Sequence, residues 1–249
     1  MYLVLTWPFG YCSGSQRGLC KMNPLPQDMT IHGIWPVDSA GNSILSCHIP
    51  QDLTPVFNDK TLQDNLLDHW PSLTGLISDI KSQRDFWSYE YNKHGNCQSK
   101  MAKDYFWAGI SLKQHSSIFQ ALKDANITPG QHYKRADFEK AIKAKVGTSD
   151  ICLRCLKNQN GDFLLKEIYL CIDAQATKAL GIELLRTIDR PEHKVAIGID
   201  DVYKSPEVVN FVTQELGGKI TRQPGPIPGL NININPFLGP YGWKTVSFL

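Results

Sequence analysis

No stretch of this 249-residue chain approaches the roughly 18 consecutive apolar residues that a bilayer-spanning helix requires, so nothing in it reads as a membrane anchor. Only Met1 precedes the mature-like start at Tyr2, and with no export signal visible the chain reads as trimmed or incomplete at its beginning. An excess of one charge is also missing. Twenty-six Lys and Arg against 24 Asp and Glu leave a net charge of +2 and a pI near 8.1, which helps a polyanion approach but is far below the charge of a dedicated nucleic-acid tether. There is no internal repeat, which excludes a solenoid. No second closely spaced cysteine pair accompanies Cys152-Leu-Arg-Cys155, so a zinc site there is a weak reading.

What is present suits a globular, exported protein. With 42% hydrophobic and 20% charged residues the chain can bury one sizeable core, and seven cysteines suggest disulfides and an oxidising compartment. Tyr2 to Trp7 is a strand candidate. Ser99 to Lys123 carries helical periodicity through Tyr105, Ile110, Ile118 and Leu122, and Lys134 to Val146 does so through Phe138, Ile142 and Val146. Phe163 to Ile172 alternates as a strand with Leu164, Ile168 and Leu170 on one face. The pattern predicts an α+β fold, a central antiparallel β-sheet flanked by helices. His69, His115 and His132 read as surface residues.

Beyond Asp173 the character changes. His193 to Asp200 reads as a strand and Ser205 to Leu216 as a short helix, while Arg222 to Tyr241 is rich in proline and glycine. The division expected is a domain over 1–175 and a divergent C-terminal extension over 176–249, partly without packed structure.

Two segments carry chemistry. The first, Met29-Thr-Ile-His-Gly-Ile-Trp-Pro36, alternates as a buried strand that projects His32 from one side. The second is Phe86-Trp-Ser-Tyr-Glu-Tyr-Asn-Lys-His-Gly-Asn-Cys97. If helical from an Asp85 N-cap to His94, it places Glu90, Lys93 and His94 together at i, i+3 and i+4, with Phe86 one turn earlier and Gly95 as a left-handed stop. Taken singly, each segment has a plainer reading. The helix can be a surface helix with ordinary ion pairs, and a histidine on a short strand is more often structural than catalytic. Taken together they hold two imidazoles, one to accept the ribose 2′-hydroxyl proton and one to donate to the departing 5′-oxygen, with a lysine and an acid to stabilise charge on the phosphorane. That is a complete set for cleaving RNA without a metal or cofactor.

Both segments resemble blocks of the ribonuclease T2 family, Phe-Thr-Ile-His-Gly-Leu-Trp-Pro and Phe-Trp-x-x-Glu-Trp-x-Lys-His-Gly-Thr-Cys. Tyr89-Glu90-Tyr91, Leu3-Val-Leu-Thr-Trp-Pro8 and Ala121-Leu-Lys-Asp-Ala-Asn-Ile-Thr-Pro-Gly130 resemble its plant branch of S-RNases and S-like ribonucleases. The similarity covers about residues 2 to 173. It implies a ribonuclease T2 type fold and an endoribonuclease acting on single-stranded RNA, with His94 as general base, His32 as general acid, and Glu90 and Lys93 steadying the pentacoordinate phosphate. The implied products are 2′,3′-cyclic phosphate and 5′-hydroxyl ends.

Trp35, Phe86 and Tyr89 become substrate-contact candidates. Tyr89 replaces a phosphate-binding histidine, and Thr6 replaces a base-contacting glutamine. The resemblance pairs Cys47 with Cys97 and Cys12 with Cys20. It leaves Cys155 and Cys171 to pair with each other or with Cys152. It also implies glycosylation at Asn126 of Asn126-Ile-Thr128, a secreted or vacuolar location, and a monomer with no membrane association, protein partners being expected for an S-RNase. Alternative roles are phosphate scavenging or defence by an S-like enzyme, or a storage or recognition glycoprotein that keeps the fold.

Overall fold

The computed structural model describes residues 1–13, 19–38, 42–98, 101–147, 151–158 and 162–172, together with the backbone of 208–211. Its organising element is a short apolar strand, β1 (Tyr2–Thr6), with all five residues buried. A strand that reads as a continuous apolar run needs a neighbour on both edges and cover on both faces. β1 has such neighbours. It pairs antiparallel with β2 (Thr30–Trp35) on one side and with β5 (Phe163–Cys171) on the other, setting Leu3 opposite Ile34 and Leu170, and Thr6 opposite Thr30 and Glu167. β4 (Ile151–Lys157) pairs antiparallel with β5 and completes the central antiparallel sheet of an α+β fold.

Two shorter strands extend this sheet. β3 (Gln131–Lys134) pairs antiparallel with β6 (Val208–Phe211), and β6 meets β5 through a parallel pairing of Leu164 with Asn210. The helix expected over Ser205 to Leu216 is therefore a strand in its centre. Val208, Val209 and Phe211 favour extended backbone, and β3 offers an edge to pair with. The expected strand at His193 to Asp200 and the Pro/Gly-rich Arg222 to Tyr241 lie outside the described residues.

The helices are α1 (Pro8–Ser13), α2 (Thr54–Phe57), α3 (Lys60–His69), α4 (Ile80–Lys93), α5 (Ala102–Ser116), α6 (Ile118–Asp124) and α7 (Arg135–Val146). The single helix expected over 99–123 is broken at Ser117, whose φ of 42° is left-handed and ends α5 before α6 begins. Trp7, Trp70, Trp87, Tyr105, Phe57, Phe106 and Phe138 are fully buried and fill the space between helices and sheet. Trp70, Tyr105 and Phe106 form one edge-to-ring cluster with centroids 5.3–5.5 Å apart, the geometry aromatic rings prefer. Among the described residues no helix is long and apolar enough to cross a membrane.

α4 differs from its expected bounds. It starts at Ile80 with Asp79 as N-cap, whose carboxylate accepts from the Ser82 amide at 3.2 Å, while Asp85 bonds Lys81 one turn earlier. Gly95 is not left-handed. It opens a 3-10 turn, Gly95–Cys97, and is required there for space, since a Cβ would lie 2.6 Å from the Tyr91 ring and 3.0 Å from the Tyr105 ring.

Candidate active site

His32 is set by the backbone of the strand that carries it. The outward backbone groups of β2 are bonded by buried side chains of the helices. Trp70 Nε1 donates to the His32 carbonyl at 2.8 Å, and the Tyr105 hydroxyl lies 3.2 Å from the Ile34 amide and 3.3 Å from its carbonyl. Gly33 between them admits no side chain, because a Cβ would stand 2.3 Å from Trp35 Nε1 and 2.7 Å from Glu90 Oε2. The strand is thereby pressed against α4. His32 and Trp35 are its two partly exposed residues, and their rings meet at 5.0 Å.

α4 brings the second half. Glu90 and His94 are buried at 2% and 3% exposure, His94 as the C-cap residue with its amide bonded to the Glu90 carbonyl at 3.0 Å. The Trp35 ring ties the segments together. It stacks on His94 with centroids 4.8 Å apart and 17° between planes, meets His32 edge-on at 5.0 Å, and donates from Nε1 to Glu90 Oε2 at 3.2 Å. Glu90 Oε1 is 3.7 Å from His32 Nε2. His32, Glu90 and His94 thus converge on Trp35, which is a wall of the site rather than an open stacking platform.

Phe86 is half-buried with its ring 6.3 Å from that of His32. Lys93 lies on the neighbouring flank of α4. Its ammonium donates to the Tyr89 hydroxyl at 2.9 Å and sits 5.0 Å from the Tyr89 ring centre, so the exposed Tyr89 holds the cation at the rim. Thr6 is buried in β1, opposite Thr30 and Glu167.

Burial governs the titration of the site. Desolvation raises Glu90 above the ordinary glutamate range, against the opposing pull of His32, the Trp35 N–H and Lys93. His94 is pushed down to about 3, first by burial and then by Lys93 and His32, so its ring is neutral through the mildly acidic range. Its Nδ1 is buried without a hydrogen-bond partner among the described residues.

Glu167, in the middle of β5, went unread in the sequence. It is fully buried, and its Oε1 accepts from His32 Nδ1 at 2.8 Å. The available signal was a charged pair, Lys166-Glu167, inside the apolar run Phe163 to Ile172.

A 50-residue disulfide loop, Cys47–Cys97, fastens the segment after β2 to the end of α4, and Cys12–Cys20 closes the small N-terminal loop. The first is reinforced by the Ser46 amide on the Lys93 carbonyl at 2.8 Å and the Gln51 amide on Asn92 at 2.8 Å. Cys155 and Cys171 do not bridge each other. Cys155 faces Leu165, six residues along β5 from Cys171, a separation of about 20 Å at strand rise, whereas bridged Cα atoms lie within about 7 Å. Burial pushes the Cys155 thiol up to about 12, with Cys152 adding to it, so the pair is poorly suited to thiolate ligation. Among the described residues no cluster of three His, Cys, Asp or Glu side chains is arranged to hold a metal.

Asn126 is exposed at a left-handed turn, φ 58°, in which the Tyr133 hydroxyl bonds the Asn126 carbonyl and the Thr128 amide. His115 and His132 are exposed as expected. His69 is not; it is half-buried between Lys113 and Gln114, because the end of α3 packs on α5.

Comparison with known proteins places the chain in a family. Residues 1–181 match the model of the Ribonuclease T2 family. The chain belongs to the ribonuclease T2 family. Among T2 relatives, Ribonuclease 3 of Arabidopsis thaliana is 33% identical over 189 residues, covering 74% of this chain and 82% of that protein. The structure of RNase NT in complex with 5′-AMP is similar with a TM-score of 0.61 at 30% identity, covering 70% of this chain and 85% of that one. The self-incompatibility associated SF11-RNase of Nicotiana alata has a TM-score of 0.67 at 25% identity, covering 85% and 97%. A likeness of another kind also exists. Lactoylglutathione lyase GLX1 of Arabidopsis thaliana is 45% identical over 105 residues, covering 28% of this chain and 37% of that protein.

Proposed function

We propose that this T2 endoribonuclease cleaves single-stranded RNA at the cleft around Trp35, by metal-independent transphosphorylation. His94, neutral in mild acid, takes the proton of the ribose 2′-hydroxyl through Nε2, and the freed oxygen attacks the adjacent phosphorus. His32 delivers a proton from Nε2 to the 5′-oxygen as the P–O5′ bond breaks. Glu90 and Lys93 face the charge that develops on the non-bridging oxygens, Lys93 as a cation and Glu90 through its hydrogen-bonding carboxyl. The products are a 2′,3′-cyclic phosphate and a free 5′-hydroxyl. Phe86 stacks on a base.

The observation that carries this reading is the placing of His32 and His94 on one tryptophan ring, at 5.0 and 4.8 Å, from elements sixty residues apart in the chain. Two disulfides and an exposed Asn126 suit a protein of the secretory pathway. Residues 1–175 form the catalytic domain in this reading, and 176–249 a C-terminal extension that lends β6 to its sheet.

The test is digestion of single-stranded RNA in EDTA at mildly acidic pH with end-group analysis. Cyclic phosphate ends are expected, and His32→Ala and His94→Ala are each expected to remove nearly all cleavage. Undiminished cleavage by either variant sinks the role assignment, and dependence on added metal sinks the mechanism.

A further inference from the structure

The roles above use four ionisable side chains, yet a fifth stands closer to His32 than any of them. Glu167 Oε1 is 2.8 Å from His32 Nδ1, against 3.7 Å between Glu90 and Nε2. An isolated carboxylate at 0% exposure is strongly unfavourable, so its surroundings matter. The Tyr169 hydroxyl donates to Oε2 at 3.0 Å, Arg154 Nη1 lies 3.5 Å from the same oxygen, and Lys166 Nζ lies 3.5 Å from Oε1. Burial alone would raise this carboxyl, but Lys166, His32 and Arg154 outweigh it and hold the group below the ordinary range. Glu167 is therefore an anion wherever the enzyme works, and an anion can only accept.

An acceptor fixed against Nδ1 decides the state of the ring. The proton on Nδ1 is committed to Glu167, and the other nitrogen, Nε2, points to the cleft beside Glu90. We propose that Glu167 is the positioning residue of the general acid: it holds His32 in the orientation and tautomer in which Nε2 alone exchanges a proton with the leaving 5′-oxygen. This rests on the reading of His32 as the acid. In the step, the P–O5′ bond breaks with its electron pair going to oxygen, the Nε2 proton joins that oxygen, and His32 is left neutral with its Nδ1 proton still donated to Glu167. Glu167 itself takes up no proton. Around the rest of the ring stand Glu90, whose Oε1 is 3.7 Å from Nε2, and the rings of Phe86 and Trp35.

A substrate whose leaving group needs no proton separates positioning from structural support. An aryl oxide departs unaided, so a ribonucleoside 3′-aryl phosphate bypasses the general acid while using the same base and phosphate contacts. Glu167→Leu is expected to lower kcat on a dinucleotide by about 10²-fold, the lower end of what a general acid contributes, with KM changed less than about threefold and little loss on the aryl substrate. Glu167→Gln, which keeps shape and an acceptor oxygen but not the charge, is expected to fall between wild type and Glu167→Leu, and it serves if the leucine variant fails to fold. In wild type, long-range proton–nitrogen correlation of the His32 ring is expected to show the Nδ1–H form when neutral. Equal losses on both substrates, or wild-type rates on the dinucleotide for both variants, overturn the proposal. His32→Ala tests the underlying reading on the same pair of substrates. If it loses both equally or neither, His32 is not the acid; if it loses only the dinucleotide while the Glu167 variants lose nothing, the positioning role alone fails.

Discussion

Replacing Trp35 by phenylalanine isolates the hydrogen bond at the centre of the site. Phenylalanine keeps an apolar ring against His94 but deletes the Nε1–H that Glu90 Oε2 accepts at 3.2 Å, and Glu90 is only 2% exposed. A hydrogen bond to a charged acceptor contributes about 1.5–3 kcal/mol, and its loss in the buried state falls on the ionised form of the carboxyl. Expressed wholly in the transition state, that is about a 10- to 150-fold loss in kcat/KM.

The pH dependence gives a sharper check. Burial already raises Glu90, and the Trp35 N–H is one of the groups pulling it back down, so the variant raises it further. A group raised on folding contributes its stability below the unfolded value and loses it as pH rises through the folded one. The deficit of Trp35→Phe relative to wild type is therefore expected to be larger at about pH 7.5 than at about pH 4, near the ordinary glutamate value. The lost ring volume adds a part that does not change with pH. Urea unfolding at both pH values measures this. A deficit equal at the two, or full activity in the variant, refutes the claim that this bond holds an ionisable Glu90 in place.

Two other outcomes follow from the same coordinates. Removing the Cys47–Cys97 bridge by double serine substitution is expected to cost about 4 kcal/mol from the entropy of its 50-residue loop, against about 2.5 kcal/mol for the 8-residue Cys12–Cys20 loop; denaturant midpoints compare them, and a larger loss from the smaller loop contradicts the ranking. His94 binds protons less readily folded than unfolded, down to about 3, so wild-type stability is lost as pH falls below the ordinary histidine value. The slope is expected to exceed that of His94→Phe by up to about 1.4 kcal/mol per pH unit between about pH 6 and 4, and parallel slopes would contradict the burial argument.

How far the sequence alone reached depended on whether the signal was local. The spacing of Glu90 and His94 is a property of one helix, and their convergence followed directly from it. The start of α4 was misplaced because the turn before Asp85 is polar, and its buried residue, Gln83, is recognisable only through its bonds to Ser72 and Leu76. β4 hid behind a Cys-x-x-Cys spacing. Lys93 shares a stretch of helix with Glu90 and His94, yet the exposed Tyr89 draws its head group to the rim, which no periodicity states. Glu167 escaped because a glutamate in an apolar strand has meaning only through the His32 ring set beside it by the order β2, β1, β5.

Strand β2, which carries His32, is the outermost of the central sheet, and an exposed strand edge ordinarily invites another chain to pair with it. Here the groups such a chain would bind are occupied, at His32 by the Trp70 indole and at Ile34 by the Tyr105 hydroxyl. The edge that bears His32 is thereby closed to strand addition. Two aromatic side chains that hold the backbone on either side of Gly33 also protect the sheet from edge-to-edge association, and a variant that lost Trp70 would expose an adhesive backbone beside His32.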